Sequence, residues 1–285
     1  MTKLYLKISL SIFFLTVVLS SCVNLKHVND FSTSSLKSVK NFEAIDYSFK
    51  QNCLDKCQDQ NIKKLVLIPQ ECNCEADEKA DSITFLIYNA VRGYLDGLTN
   101  LSNNNLTTYK MDPLTKALTK SDLAAIKVEK AQVEAYSNIS NVLLNAFANK
   151  YRKHKIKEYV KAANEPFQVL IRFLDFNLSS NLADKLNVQK LRIREDYLKL
   201  IKDSTLSSLE KRKTIEEYYH RLDLIEAKQQ TLNTYSKALK KTAGGHQNLA
   251  DNIDKLNIYE IKEQLTQDAS DIQDMISEFN KIPKQ

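Results

Sequence analysis

The sequence predicts an all-α protein: an elongated antiparallel bundle of five or six long helices, with a disulfide-stapled Cys-rich turn near the N-terminus. Three observations predict it. The 285 residues hold only 4 Gly, 4 Pro and no Trp, where average usage would supply about 20 Gly and about 14 Pro. Tight turns, bulges and phosphate-binding loops are built from Gly and Pro, so their scarcity argues against sandwiches, barrels and Gly-rich nucleotide sites. Apolar residues recur every three or four positions along most of the chain, the spacing of one helix face. Four cysteines beyond residue 50 fall in two close pairs. With 43% hydrophobic and 27% charged residues, the chain can bury a core in one large domain or two small ones.

The first element is an address rather than part of the fold. Lys3 and Lys7 precede an apolar run from Ile8 to Val18. That run is shorter than the roughly 20 residues a membrane span needs, and it suits the core of a signal peptide. It ends in Leu19-Ser20-Ser21-Cys22. This resembles the lipobox of bacterial lipoproteins: an aliphatic residue, two small residues, then an obligatory Cys. The resemblance implies a signal peptide over 1–21, cut before Cys22, whose thiol and new amino terminus become acylated. Several acyl chains on one residue anchor stably, at about 0.8 kcal/mol per buried CH₂. The residue after Cys22 is Val23, not the Asp that marks inner-membrane retention in enteric-type lipoproteins, which favours the outer membrane. The resemblance covers residues 1–22 only; it implies processing, not activity. Residues 22–35, rich in Asn and Ser, read as a polar tether, and 36–285 as the helical bundle domain.

Export puts the body in an oxidising compartment. Cys53 and Cys57, at i and i+4, share a helix face; Cys72 and Cys74, at i and i+2, share one side of an extended segment. Bonds between the pairs staple the Cys-rich turn, 61–79, onto the first helix. The nested pairing Cys53–Cys74 with Cys57–Cys72 is preferred, with the crossed pairing as runner-up. Closing an inner loop of about 15 residues stabilises by roughly 3 kcal/mol in the chain-entropy model. A four-Cys zinc site is the competing reading, against which stand the C-x₃-C and C-x-C spacings in place of C-x₂-C.

The helices follow in order. Leu36, Val39, Phe42, Ile45, Phe49, Cys53 and Cys57 mark the first face, with Ser34 or Ser35 as cap. The apolar run Leu65-Val66-Leu67-Ile68 reads as a short buried strand-like segment. A second helix starts near Asp81-Ser82 and ends in a polar linker, Asn100 to Asn105; Asp112-Pro113 opens a short turn. A third starts at Ser121 and carries Ala124, Val128, Ala131, Ala135 and Ile139. A fourth starts at Asn164-Glu165-Pro166, with Pro near its first position, and reaches about Ile201. Ser207-x-x-Glu210 is a capping box for a fifth, which stops at Gly244-Gly245. A shorter helix carries Leu249, Ile253 and Leu256, and Asn257-x-x-Glu260 caps the last. Near-heptad spacing in the fifth helix leaves a coiled-coil dimer as the minority architecture.

Catalytic constellations are missing from the sequence. It has no G-x-S-x-G, P-loop or H-E-x-x-H motif. The four histidines (His27, His154, His220, His246) are isolated, and Glu217-x-x-His220 is half of a di-iron signature that needs two copies. Gly93-x-x-x-Gly97 reads as close packing within the bundle. No catalytic, cofactor or metal residue is therefore expected. The densest basic stretch is Lys150, Arg152, Lys153, Lys155, Lys157 and Lys161. Its default is a solvated face; its functional reading is contact with anionic lipid heads or an acidic partner. Nucleic acid is not expected outside the cytosol, and the formal charge of +6 makes no strong field. The expectation is a non-catalytic envelope protein, lipid-anchored through Cys22, that binds a protein or envelope component as a scaffold, assembly factor or interaction module. The alternatives are a surface lipoprotein binding a host or phage ligand, and an enzyme acting on peptidoglycan or lipid.

Overall fold

A computed structural model of the chain describes residues 25–68, 71–103, 126–148 and 155–283. Among these the architecture is the helical bundle the sequence predicts, with no strand. The helices are α1 (Lys26–Lys40), α2 (Phe49–Lys63), α3 (Glu75–Ser102), α4 (Lys130–Ala148), α5 (Ile156–Asp175), α6 (Ala183–Lys202), α7 (Ser208–Asn252) and α8 (Tyr259–Lys281). A 3₁₀ turn, Asn41–Ala44, follows α1, and a π-helical segment, Phe176–Leu182, joins α5 to α6. In that segment Asn177 and Ser179 donate to the carbonyls of Phe173 and Asp175, the back-bonding that loosens a helical turn.

The core lies where α1 packs on α3, α7 and α8, and where α5 packs on α3, α4 and α7. Phe31, Ile87, Tyr94, Leu95, Phe167, Leu170 and Ile272 are completely enclosed there. The 45 residues of α7 make a rod of about 67 Å at 1.5 Å per residue. Its start is capped as expected: Ser207 Oγ accepts from the Glu210 amide, and Glu210 accepts from the Ser207 amide at 2.8 Å.

Several expectations are corrected. The tether reading of 22–35 fails from residue 26 onward. α1 begins at Lys26 and buries Val28, Phe31, Ser32, Ser34 and Ser35. Its serines are small enough to let the helix sink between its neighbours, and Thr99 Oγ1 donates to Ser32 Oγ at 3.1 Å. The single face from Leu36 to Cys57 is two helices. The Asp81 carboxylate on α3 accepts from the amides of Phe49 and Lys50, each at 2.9 Å, so α2 is capped from a distant part of the chain as well as by Ser48. α3 starts at Glu75, not near Asp81. Pro166 lies inside α5, buried, rather than at a helix start. Gly244 and Gly245 lie inside α7, which runs on to Asn252. The cap residue of α8 is Ile258, with no side-chain bond from Asn257. The expected start at Ser121 and the turn at Asp112-Pro113 lie outside the described residues.

Candidate functional site

The four body cysteines form the nested pairing. Cys53 and Cys57, one turn apart on α2, bond to Cys74 and Cys72, with Cα–Cα distances of 5.8 and 6.0 Å. The sulfurs are thereby spent, which removes the crossed pairing and the zinc reading. The staple ties α2 to the segment that leads into α3, whose cap residue is Cys74. The helix is then held on its other side by Asp59, which accepts from Arg221 of α7 at 2.6 Å, and by Lys63, whose ammonium lies 2.7 Å from Asp196 of α6.

Beyond Lys63 the chain turns back in a Schellman motif. The Leu65 amide donates to Ile62 O at 3.0 Å, and the Val66 amide to Asn61 O at 2.9 Å. The motif needs its first residue past the cap in the left-handed region, a place normally taken by Gly. Here Leu65 takes it, with φ 53°. The expected buried strand is thus a helix terminus, and three of its four apolar residues face outward: Leu65 is 88%, Leu67 97% and Ile68 82% exposed, while Val66 is half-buried.

The strap between α1 and α2, residues 41–48, separates two clefts of about 380 and 370 Å³. Glu43 pins the strap. Its carboxylate accepts from the buried Tyr88 hydroxyl at 2.5 Å and from Arg92 at 3.0 Å. The Tyr88 hydrogen bond, with help from Arg92, holds Glu43 below the usual carboxylate range against the opposing effect of partial burial. The Tyr47 hydroxyl accepts from Asn52 at 2.8 Å and donates to Gln189; burial pushes it up to about 12. Both phenols therefore stay protonated at neutral pH and act as donors, not as bases or nucleophiles. Asp81 and Ser48 on the second cleft wall are committed to capping α2. The clefts offer apolar walls, among them Phe42, Ile45, Phe85, Leu178 and Leu182, and no convergent catalytic pair.

One polar cluster was not anticipated. His246 of α7 is fully buried, with Nε2 2.6 Å from the Tyr94 hydroxyl and Nδ1 3.0 Å from Asn164 Oδ1. Asn164 donates through Nδ2 to Gln247, so its oxygen faces the ring. That assigns the proton to Nδ1 and leaves Nε2 to accept from Tyr94. Burial pushes His246 down to about 3, so the ring is neutral. Phe167 and Tyr94 enclose it at centroid distances of 4.5 and 5.2 Å. The triad resembles catalytic geometry in its residue types, yet it lacks a nucleophile and an opening. It ties α3, α5 and α7 together.

The remaining sequence-predicted residues are described only in part. Cys22, Lys150, Arg152 and Lys153 lie outside the described residues. Lys155 pairs with Glu158 at 3.6 Å, while Lys157 and Lys161 converge on Asp254 at 3.4 and 2.5 Å. These are exposed pairs, worth little in stability. Gly97 packs against the Tyr159 hydroxyl, as the close-packing reading of its motif expects. Among the described residues no group of three His, Cys, Asp or Glu side chains is placed to hold a metal, and no helix is long and apolar enough to cross a membrane. No protein-family model, curated protein or solved structure matches the chain.

Proposed function

We propose that this chain is a lipid-anchored envelope protein, acylated at Cys22, that works by binding an envelope component rather than by catalysis. The nested disulfide pair carries the reading. Two S–S bonds close on themselves with no cysteine of the described body left over, the arrangement of a protein that folds in an oxidising compartment. The leader, with its Leu19-Ser20-Ser21-Cys22 end, is the matching export signal. The paired polar groups of the two clefts and the rigid bundle suit a scaffold or assembly module. Val23 favours the outer membrane.

The test has two parts. The native chain should incorporate labelled palmitate, and Cys22→Ala should abolish the label and accumulate precursor or soluble protein. Label persisting in the variant would sink the anchor assignment. Protease treatment of intact cells then decides the face. Protection supports a periplasmic component, and loss of the body supports a surface protein that binds an external ligand.

A further inference from the structure

The larger of the two clefts, about 380 Å³, falls within the size range of small-molecule sites. Three elements meet there. The strap lends Ile45 and Asp46, α7 lends Ala227 and Lys228, and the end of α8 lends Phe279 and Ile282. The walls are already set. Phe279 and Ile282 are buried in the bundle, and the strap is fixed through Glu43 on Tyr88 and through Tyr47 on Asn52. A ligand entering a cleft built this way orders little of the chain, which keeps the cost of binding low.

The charges on the walls cancel, with one exception. Glu43 is matched by Arg92 at 3.0 Å, and Lys40 reinforces the match. Lys228 lies 4.7 Å from the centre of the Tyr47 ring and 4.0 Å from Asp55, so its ammonium is engaged on both sides. Asp46 is exposed and makes no hydrogen bond or ion pair among the described residues. The second cleft differs on this point, since its Asp81 and Ser48 are spent on capping α2. The first cleft therefore joins an apolar wall to one uncommitted negative charge. An anion meets Asp46 and Glu43 there. An uncharged apolar molecule shields the Asp46 carboxylate from water without giving it a partner. A cation on an apolar body answers both walls.

We propose that this cleft binds a small primary amine, with the ammonium at Asp46 and an apolar body against Ile45, Phe279 and Ile282. The site adds a small-molecule ligand to the binding role proposed above. It rests on the cleft alone, not on acylation or on the face of the membrane, and the test removes the leader, so either idea can fail without the other.

The oxidised chain without residues 1–22, whose described core begins at Leu25, is titrated calorimetrically with two probes. One is leucylphenylalanine amide, which carries an ammonium and no carboxylate. The other is its N-acetyl form, which carries no charge. The amide should bind at a single site, and acetylation should weaken it by at least about threefold. Asp46→Asn should weaken the amide to a similar degree and leave the acetyl form unchanged, a split that a folding defect does not produce. Ala227→Phe should fill the apolar part and abolish binding of both probes, with the helical circular dichroism unchanged. Equal affinity for the two probes overturns the proposal, as does an absence of binding by the amide. Binding that both variants leave intact places the amine elsewhere on the chain and overturns it as well.

Discussion

Gly245 of α7 lies against the ring of Phe31 of α1: a methyl group on its α-carbon would overlap Cε2 and come within 3.1 Å of Cζ. The helix passes straight through Gly244-Gly245 because the second glycine serves an approach between helices, not a turn. The two neighbours predict opposite outcomes. Gly245→Ala must displace a fully buried phenyl ring and should destabilise by about 1–3 kcal/mol. Gly244→Ala meets nothing within 4 Å and should stabilise by about 1 kcal/mol through helix propensity. Urea midpoints of the two variants check the pair; a stabilising Gly245→Ala would contradict the packing.

His246 makes stability depend on pH. Its folded pKa of about 3 lies below the ordinary 6.5, so between these values the unfolded chain binds a proton that the folded chain refuses. Stability from this residue is fully present above pH 6.5. It falls by about 1.4 kcal/mol for each pH unit on the way down, levelling near pH 3. Replacing His246 by Gln should flatten that slope while costing stability at pH 7, because Tyr94 and Asn164 lose a matched partner. Denaturant titrations from pH 7 to pH 4 on both proteins measure the difference.

The two disulfides should act as one constraint. Cys53–Cys74 closes a separation of 21 residues and Cys57–Cys72 one of 15. With either bond in place the ends of the turn are already near each other, so the second adds little loop entropy. Cys57→Ser/Cys72→Ser should therefore cost well under the roughly 3 kcal/mol of an isolated loop of this size, and replacement of all four cysteines about 3 kcal/mol or more. Thermal unfolding of the double and quadruple variants distinguishes this from additive behaviour.

Leu65→Gly should stabilise the body by roughly 1 kcal/mol, by removing the left-handed strain at φ 53°. An 88% exposed side chain forfeits almost no packing when it is deleted. If the variant is less stable, Leu65 has a contact that its exposure does not reveal.

The sequence by itself determined the helical class and the capping box at Ser207, and it favoured the pairing of Cys53 with Cys74 and Cys57 with Cys72 over the crossed one, which the structure then excluded. Each is a local pattern: composition, three-to-four spacing, or residues brought together by one short turn. Its errors cluster where a distant residue overrides the local signal. Asp81 caps α2 across 32 residues of chain. Phe31 claims the space that makes Gly245 a packing residue. The packing of α1 on α3, α7 and α8 turns a Ser-rich stretch that reads as a tether into a buried helix. The same holds for the polar interior, because His246, Asn164 and Tyr94 converge from three helices and carry no mark of one another in the chain. Only tertiary structure decided these, and Leu65, Leu67 and Ile68 show why: hydrophobicity predicts that a side chain gains from leaving water, but burial needs a neighbour, and the fold puts none there.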